Sequence, residues 1–180
     1  TATAITAGES HTCAILDNNT IKCWGGNGSG QLGVGDTAHR GDQAGEMGDN
    51  LQTVALGAGR TATAIATADN HTCALLDNHT VKCWGENHRG QLGLGDTAYR
   101  GDGPGEMGDN LPAVSLGTGR PATAITAGEF HTCALLDNGT VKCWGHNNTG
   151  QLGLGVFDDR GASRLHGAPS GCGSSGASAV

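Results

Sequence analysis

Apolar and polar positions alternate in short runs along this chain, and the runs recur. His131-Thr132-Cys133-Ala134-Leu135-Leu136 and Val141-Lys142-Cys143-Trp144 flank the polar turn Asp137-Asn138-Gly139. The same arrangement begins at His11 and at His71, a period of 60 residues. Residues 1–60 and 61–120 are identical at 41 of 60 positions, and a third copy runs from Pro121 to Gly155 before departing. A fixed period of this length marks a repeat architecture, in which one supersecondary unit is reused and neighbours bury each other.

Each unit parses alike. Thr1 to Ala7 alternates small and β-branched residues and predicts a strand. Gly8-Glu9-Ser10 turns the chain. His11 to Leu16 and Thr20 to Trp24 predict second and third strands, and Leu51 to Leu56 a fourth. Between them lie a glycine-rich stretch from Gly25 to Gly35 and a polar loop from Asp36 to Asn50. No stretch carries a helical period, so the fold class is all-β, with four short antiparallel strands per unit. The units fall at 1–60, 61–120 and 121–160, the last without a Leu51-to-Leu56 equivalent. A Gly/Ser/Ala-rich tail, read as flexible, fills 161–180.

The hairpin register follows from its turn. Leu16-Asp17-Asn18-Asn19-Thr20 fits a three-residue loop whose last position, held by Asn19, His79 and Gly139, is left-handed. Pairing Leu16 with Thr20 sets Cys13 opposite Cys23, and likewise Cys73 opposite Cys83 and Cys133 opposite Cys143. Cross-strand Cβ atoms lie about 4.5–5.5 Å apart, close to disulfide range. Disulfides are the favoured reading and place the chain in an oxidising compartment. Paired buried thiols are the alternative, and a zinc site on His11, Cys13 and Cys23 lacks a fourth repeating ligand. Both faces of the hairpin are apolar, so each sheet needs a neighbour on either side, as in stacked propeller blades.

Composition changes this picture little. The 33 glycines lack a collagen-like triplet and point to tight turns. Ten Lys and Arg against a net charge of −7 form no basic stripe, which disfavours nucleic acid and a polybasic membrane patch. No apolar run reaches the roughly 20 residues of a membrane span. Without an initiator Met or a signal peptide, the chain reads as a processed product or a piece of a longer protein.

The residues also resemble a known family, the regulator of chromosome condensation repeats. The resemblance rests on Gly128-Glu129-Phe130-His131-Thr132-Cys133-Ala134-Leu135, Asp137-Asn138-Gly139-Thr140-Val141, Cys143-Trp144-Gly145 and Asn148-Thr149-Gly150-Gln151-Leu152-Gly153-Leu154-Gly155. It covers residues 1 to about 155 and implies β-propeller blades, about three here against a family ring of about seven. The 60-residue period is longer than the family's, and the surplus lies in the loops Asp36–Asn50 and Asp96–Asn110. The resemblance also implies structural roles for His11, His71 and His131 and packing roles for Trp24, Trp84 and Trp144.

Candidate sites are few. Asn18, Asn78 and Asn138 occupy the hairpin turns within Asn-x-Ser/Thr sequons, which also occur at Asn27, Asn70 and Asn147. Arg-Gly-Asp is spelled at Arg40–Asp42 and Arg100–Asp102, a weak interaction motif. The acids of the same loops, Asp36, Asp42, Glu46 and Asp49, are a minor candidate for Ca²⁺, although Arg40 and Arg100 can neutralise them internally. Otherwise no cofactor or metal is expected. Repeated units build a surface, whereas catalysis needs different groups assembled once. The expected function is therefore non-catalytic: a scaffold that meets a protein partner, or further blades or copies of itself, through its rim loops. The setting is extracellular or at the cell surface. The alternatives are a filament or coat assembled blade to blade, nucleotide exchange on a small GTPase as the resemblance allows, and a propeller lyase.

Overall fold

The structure, a computed structural model, describes residues 1–162 and the short strand Ser170–Gly171. It contains three antiparallel sheets in chain order. The first is β1 (Ala2–Ala7), β2 (His11–Leu16) and β3 (Ile21–Gly25). The second is β4 (Ala62–Thr67), β5 (His71–Leu76) and β6 (Val81–Gly85). The third is β7 (Ala122–Gly128), β8 (His131–Leu136) and β9 (Val141–Gly145), with β10 (Ser170–Gly171) outside β9.

The hairpin register is the one read from the turn. Leu16 donates to the Thr20 carbonyl at 2.9 Å, and Asn19, His79 and Gly139 stand at φ 60°, 64° and 78°. Cys13 faces Cys23, Cys73 faces Cys83 and Cys133 faces Cys143, each pair with Cα atoms 4.1 Å apart and joined by a disulfide. Two features differ from the expectation. The fourth strand is not a regular strand. Leu51 to Leu56 pairs with β3 through a single Lys22–Thr53 bridge and a bond from Val54 N to the Ile21 carbonyl. In the third unit, Ser170 and Gly171 pair with Cys143 and Lys142 along that same edge. The rest of the predicted tail, with Cys172, lies outside the described residues.

The second difference is a bulge in each first strand, between Ala2 and Ala4 and at the matching places of β4 and β7. The extra residue is a threonine whose hydroxyl bonds a carbonyl of the next strand, Thr3 to Ile15 at 3.2 Å and Thr63 to Leu75 at 3.2 Å. A bulge bends its strand and raises the local twist, which turns one sheet against the next.

Two apolar clusters lie between the sheets. Cys13, Ile15, Ile21 and Cys23 of the first pack against Ala62, Leu76 and Trp84 of the second, with Leu32, Val54 and Leu56 filling in. Cys73, Leu75, Val81 and Cys83 of the second pack against Ala122, Leu136 and Trp144 of the third. Each blade thus has a disulfide face turned to the following blade and a tryptophan face turned to the preceding one. In the central blade every residue of β5 and β6 is buried.

Candidate functional site: blade junctions and rim loops

The junctions are held by a polar network built from residues the repeat supplies once per unit. Gln31 lies in the glycine-rich stretch after β3, and its main-chain carbonyl accepts from Thr72 Oγ1 at 2.9 Å and from Trp84 Nε1 at 3.0 Å. Gln91 does the same for Thr132 and Trp144, both at 2.9 Å. His11 Nε2 meets Thr72 Oγ1 at 2.8 Å, and His71 Nε2 meets Thr132 Oγ1 at 2.9 Å. A hydroxyl has one proton, and Thr72 gives it to the Gln31 carbonyl, so His11 must donate through Nε2–H. Its Nδ1 is then a bare acceptor, and both His11 Nδ1 and His71 Nδ1 are buried without a partner among the described residues. Burial drives the His11 pKa down to about 4. Burial, with lesser repulsion from His11 and His131, drives that of His71 to about 3. Both histidines are therefore held neutral and hydrogen-bonded within the junctions.

Glycine is required where the stretch after β3 meets the next blade. Gly33 has φ 68°, and a Cβ there would lie 2.6 Å from Trp84 Nε1. Gly30 abuts the backbone of Gly101 and Asp102. Asn27 and Asn87, both fully buried, close the turn beneath: Asn27 Nδ2 reaches the Asp36 and Ala38 carbonyls, and its Oδ1 accepts from Leu32 N at 2.9 Å. Gln151 stands in the motif that carries the family resemblance and Asn27 in a sequon, and neither setting reveals these roles. Their recurrence at fixed places was the available signal, but a main-chain carbonyl leaves no trace in side-chain type.

The rim loops are internally tied. Arg40 Nη2 pairs with Asp36 at 2.6 Å and Arg100 Nη2 with Asp96 at 2.7 Å, the internal neutralisation foreseen. Glu46 accepts from Gly41 N and Gln43 N, and Asp109 from Ala58 N. Asp42 is exposed and Asp102 half-buried. Burial, then a bond with Glu106, holds the Asp102 carboxyl above the usual carboxylate range. The acids are spread over separate partners, and among the described residues no group of three His, Cys, Asp or Glu is disposed to hold a metal. Between the loops of the first and second units the rim opens a cleft of about 370 Å³, lined by Val34, Gln52, Thr53, Ala55, Pro104 and Met107 among others.

The six cysteines of the repeats form the pairs read from the register, which leaves no thiolate of Cys13 or Cys23 for zinc. Asn18, Asn78 and Asn138 are exposed at the turns, each accepting from a threonine two residues on through Oδ1. Asn27 and Asn147 are fully buried with their amides engaged, so the folded chain offers no glycan acceptor there. No helix of the described residues is long and apolar enough to cross a membrane.

These features define a class: an all-β repeat protein of packed propeller blades, each with a disulfide between two of its own strands. The family model described as "Regulator of chromosome condensation (RCC1) repeat" matches residues 2–31, 62–91 and 122–151, and a second model of the same description matches 78–135. The chain belongs to this family. It is 31% identical over 153 residues to the X-linked retinitis pigmentosa GTPase regulator of Canis lupus familiaris, covering 84% of the chain and 14% of that protein. It is 30% identical over 158 residues to the ultraviolet-B receptor UVR8 of Arabidopsis thaliana, covering 86% of the chain and 32% of that protein. The chain therefore spans a third or less of the length of these relatives. Among solved structures, Prp20p from Saccharomyces cerevisiae, described with its binding to Gsp1p and histones, superposes with TM-score 0.72 at 23% identity over 97% of the chain and 39% of its own. That likeness shows the fold.

Proposed function

We propose that the chain is a non-catalytic interaction module that receives a protein partner along its rim. The observation that carries this reading is the cleft of about 370 Å³ where the loop of one blade meets the loop of the next. Its lining is apolar at Val34, Ala55, Pro104 and Met107 and polar at Gln52 and Thr53, the mixture that suits an extended peptide. Met107 is flexible and polarizable, a side chain adapted to partner surfaces. The rigid junction beneath holds these two loops at fixed spacing, so the cleft is presented in one geometry. Membership of a family that includes a light receptor and a GTPase regulator supports a binding role.

The compartment we propose is extracellular or cell-surface. Three cross-strand disulfides persist in oxidising surroundings and are rare in reducing ones. Asn18, Asn78 and Asn138 are then exposed glycan acceptors. Nucleotide exchange on a small GTPase is a second reading, favoured by the likeness to the X-linked retinitis pigmentosa GTPase regulator. The test is affinity capture from the source organism with the wild-type chain and with Met107→Glu. The rim reading expects a discrete set of proteins retained by the first and lost with the second. Identical capture by both chains contradicts it.

A further inference from the structure

The three hairpin turns share one geometry and differ at one place. They are Asp17-Asn18-Asn19-Thr20, Asp77-Asn78-His79-Thr80 and Asp137-Asn138-Gly139-Thr140. In each, Oδ1 of the asparagine two before the threonine accepts from the threonine hydroxyl at 2.7 Å. The same oxygen accepts from the threonine N–H at 3.2, 3.2 and 3.1 Å. The residue between them stands at φ 60°, 64° and 78°, and its N–H donates to the leucine carbonyl before the turn at 2.8, 2.9 and 3.0 Å. Asn18, Asn78 and Asn138 are all exposed. Asn18 and Asn78 are so even though the following blade bonds their turns, Ala62 N to the Asn19 carbonyl and Ala122 N to that of His79. Exposure therefore belongs to the turn and not to its place in the chain.

An asparagine amide is an electrophile within reach of the next main-chain nitrogen. Attack of that nitrogen on Cγ closes a cyclic imide. Two features of the third turn favour the step. Gly139 has no Cβ to obstruct the approach, whereas Asn19 and His79 carry side chains there. Negative charge also develops on Oδ1 as the nitrogen adds, and the Thr140 hydroxyl and N–H already point at that oxygen, the arrangement of an oxyanion hole. The bond from Gly139 N to the Leu136 carbonyl must open first, but all three turns share it. The chain has one other Asn-Gly pair, Asn27-Gly28, which is an internal control. Asn27 is fully buried. Its Nδ2 donates to the Asp36 and Ala38 carbonyls, and its Oδ1 accepts from Leu32 N. Its Cγ cannot turn toward Gly28 N without breaking these bonds.

We propose that Asn138 is a site of spontaneous deamidation in the folded chain, singled out from Asn18, Asn78 and Asn27. Gly139 N loses its proton to solvent base and bonds to Asn138 Cγ. The Cγ–Nδ2 bond breaks, and Nδ2 takes up a proton from solvent and leaves as ammonia. Water then opens the imide at either carbonyl and gives aspartate or isoaspartate. The sum is hydrolysis of an amide by one water, with no oxidant and no cofactor. Either product adds a carboxylate beside Asp137. Isoaspartate also adds a backbone carbon to a turn whose length sets Cys133 opposite Cys143. Conversion removes the asparagine of the sequon, so a glycan and this reaction compete for the same nitrogen. The site is separate from the rim cleft, and its failure leaves the rim reading untouched.

The test incubates the oxidised full chain, made in a host that attaches no glycans, in mildly alkaline buffer. Peptide mass mapping and an isoaspartate assay follow each asparagine with time. Asn138 is expected to convert about tenfold faster or more than Asn18, Asn78 and Asn27, because glycine alone leaves the approach open. Gly139→Asn copies the first unit and is expected to slow conversion by a similar factor. It keeps the fold, since Asn19 holds the same left-handed conformation and a Cβ at Gly139 meets no atom within 4 Å. Thr140→Val removes the hydroxyl donor, keeps Gly139 and is expected to slow conversion several-fold. Circular dichroism establishes that both variants are folded. In the reduced chain unfolded in urea, Asn27 is expected to convert alongside Asn138. A folded chain in which Asn27 keeps pace with Asn138 overturns the proposal. So does a folded Asn138 that stays intact over the time that converts it in urea, or an unchanged rate in either variant.

Discussion

At the scale of single residues, the junction histidines set how the molecule responds to acid. His11 and His71 are held neutral, with pKa values near 4 and 3, against about 6.5 in an unfolded chain. Below pH 6.5 the unfolded chain binds protons that the folded chain refuses. Stability is therefore complete above that pH and falls as pH drops toward 4, by up to about 1.4 kcal/mol per pH unit for each imidazole. Melting temperature measured from pH 7 to 4 is expected to decline over that window, and the His11→Asn, His71→Asn double variant is expected to show a flatter slope from a lower start. Gly33 is a second sensitive residue. Gly33→Ala forces a side chain at φ 68° and pushes it into Trp84. The expected loss is about 2–4 kcal/mol by denaturant unfolding, the sum of left-handed strain and overpacking. That these histidines and glycines recur every 60 residues was visible in the sequence. Which carbonyl Thr72 meets was not, because the partner is backbone and lies 41 residues away.

At the scale of the element, the hairpin was the most legible part. Its turn length, its left-handed third position and the opposition of Cys13 to Cys23 all follow from local chemistry. Each disulfide closes a loop with a sequence separation of 10, which on chain-entropy grounds contributes about 2–3 kcal/mol. Reduction is expected to lower the melting temperature in a concentration-independent way, and intact mass is expected to gain two hydrogens per pair. His79 stands at φ 64° in a position that Gly139 fills in the third unit, so His79→Gly is expected to stabilise by up to about 1 kcal/mol in urea titration. The fourth strand and the bulge were less legible. Leu51 to Leu56 has an alternating pattern, yet its residues Val54 and Leu56 serve as wedges in the junction core and only one backbone bridge forms. The bulge at Thr3 leaves no mark, since Thr3 belongs equally to a regular strand.

At the scale of the whole molecule, near-identical units do not have identical surroundings. Trp84 and Trp144 are fully buried while Trp24 is half-buried, although all three stand in the same local sequence. A quencher such as acrylamide is expected to reach one tryptophan of three in the single chain, and Trp24→Phe is expected to remove that accessible fraction. The two junctions also differ. Gln31 Nε2 donates to Asn70 at 3.0 Å, but Phe130 replaces that asparagine in the next unit and Gln91 Nε2 is left buried without a partner among the described residues. Stacking of two-faced sheets was legible from the apolar patterning; how far each end is covered was not, because position in the stack is no property of a unit's own letters.

The complete burial of β5 and β6 has a kinetic meaning. Amide protons of the middle sheet can exchange only after a neighbour has peeled away, so the flanking sheets should fray first and independently, one from each end. The slowest-exchanging hydrogens in the protein are then expected between Cys73 and Cys83, and the chain should loosen from its margins inward, much as a short stack of plates is lifted from the top or slid from the bottom.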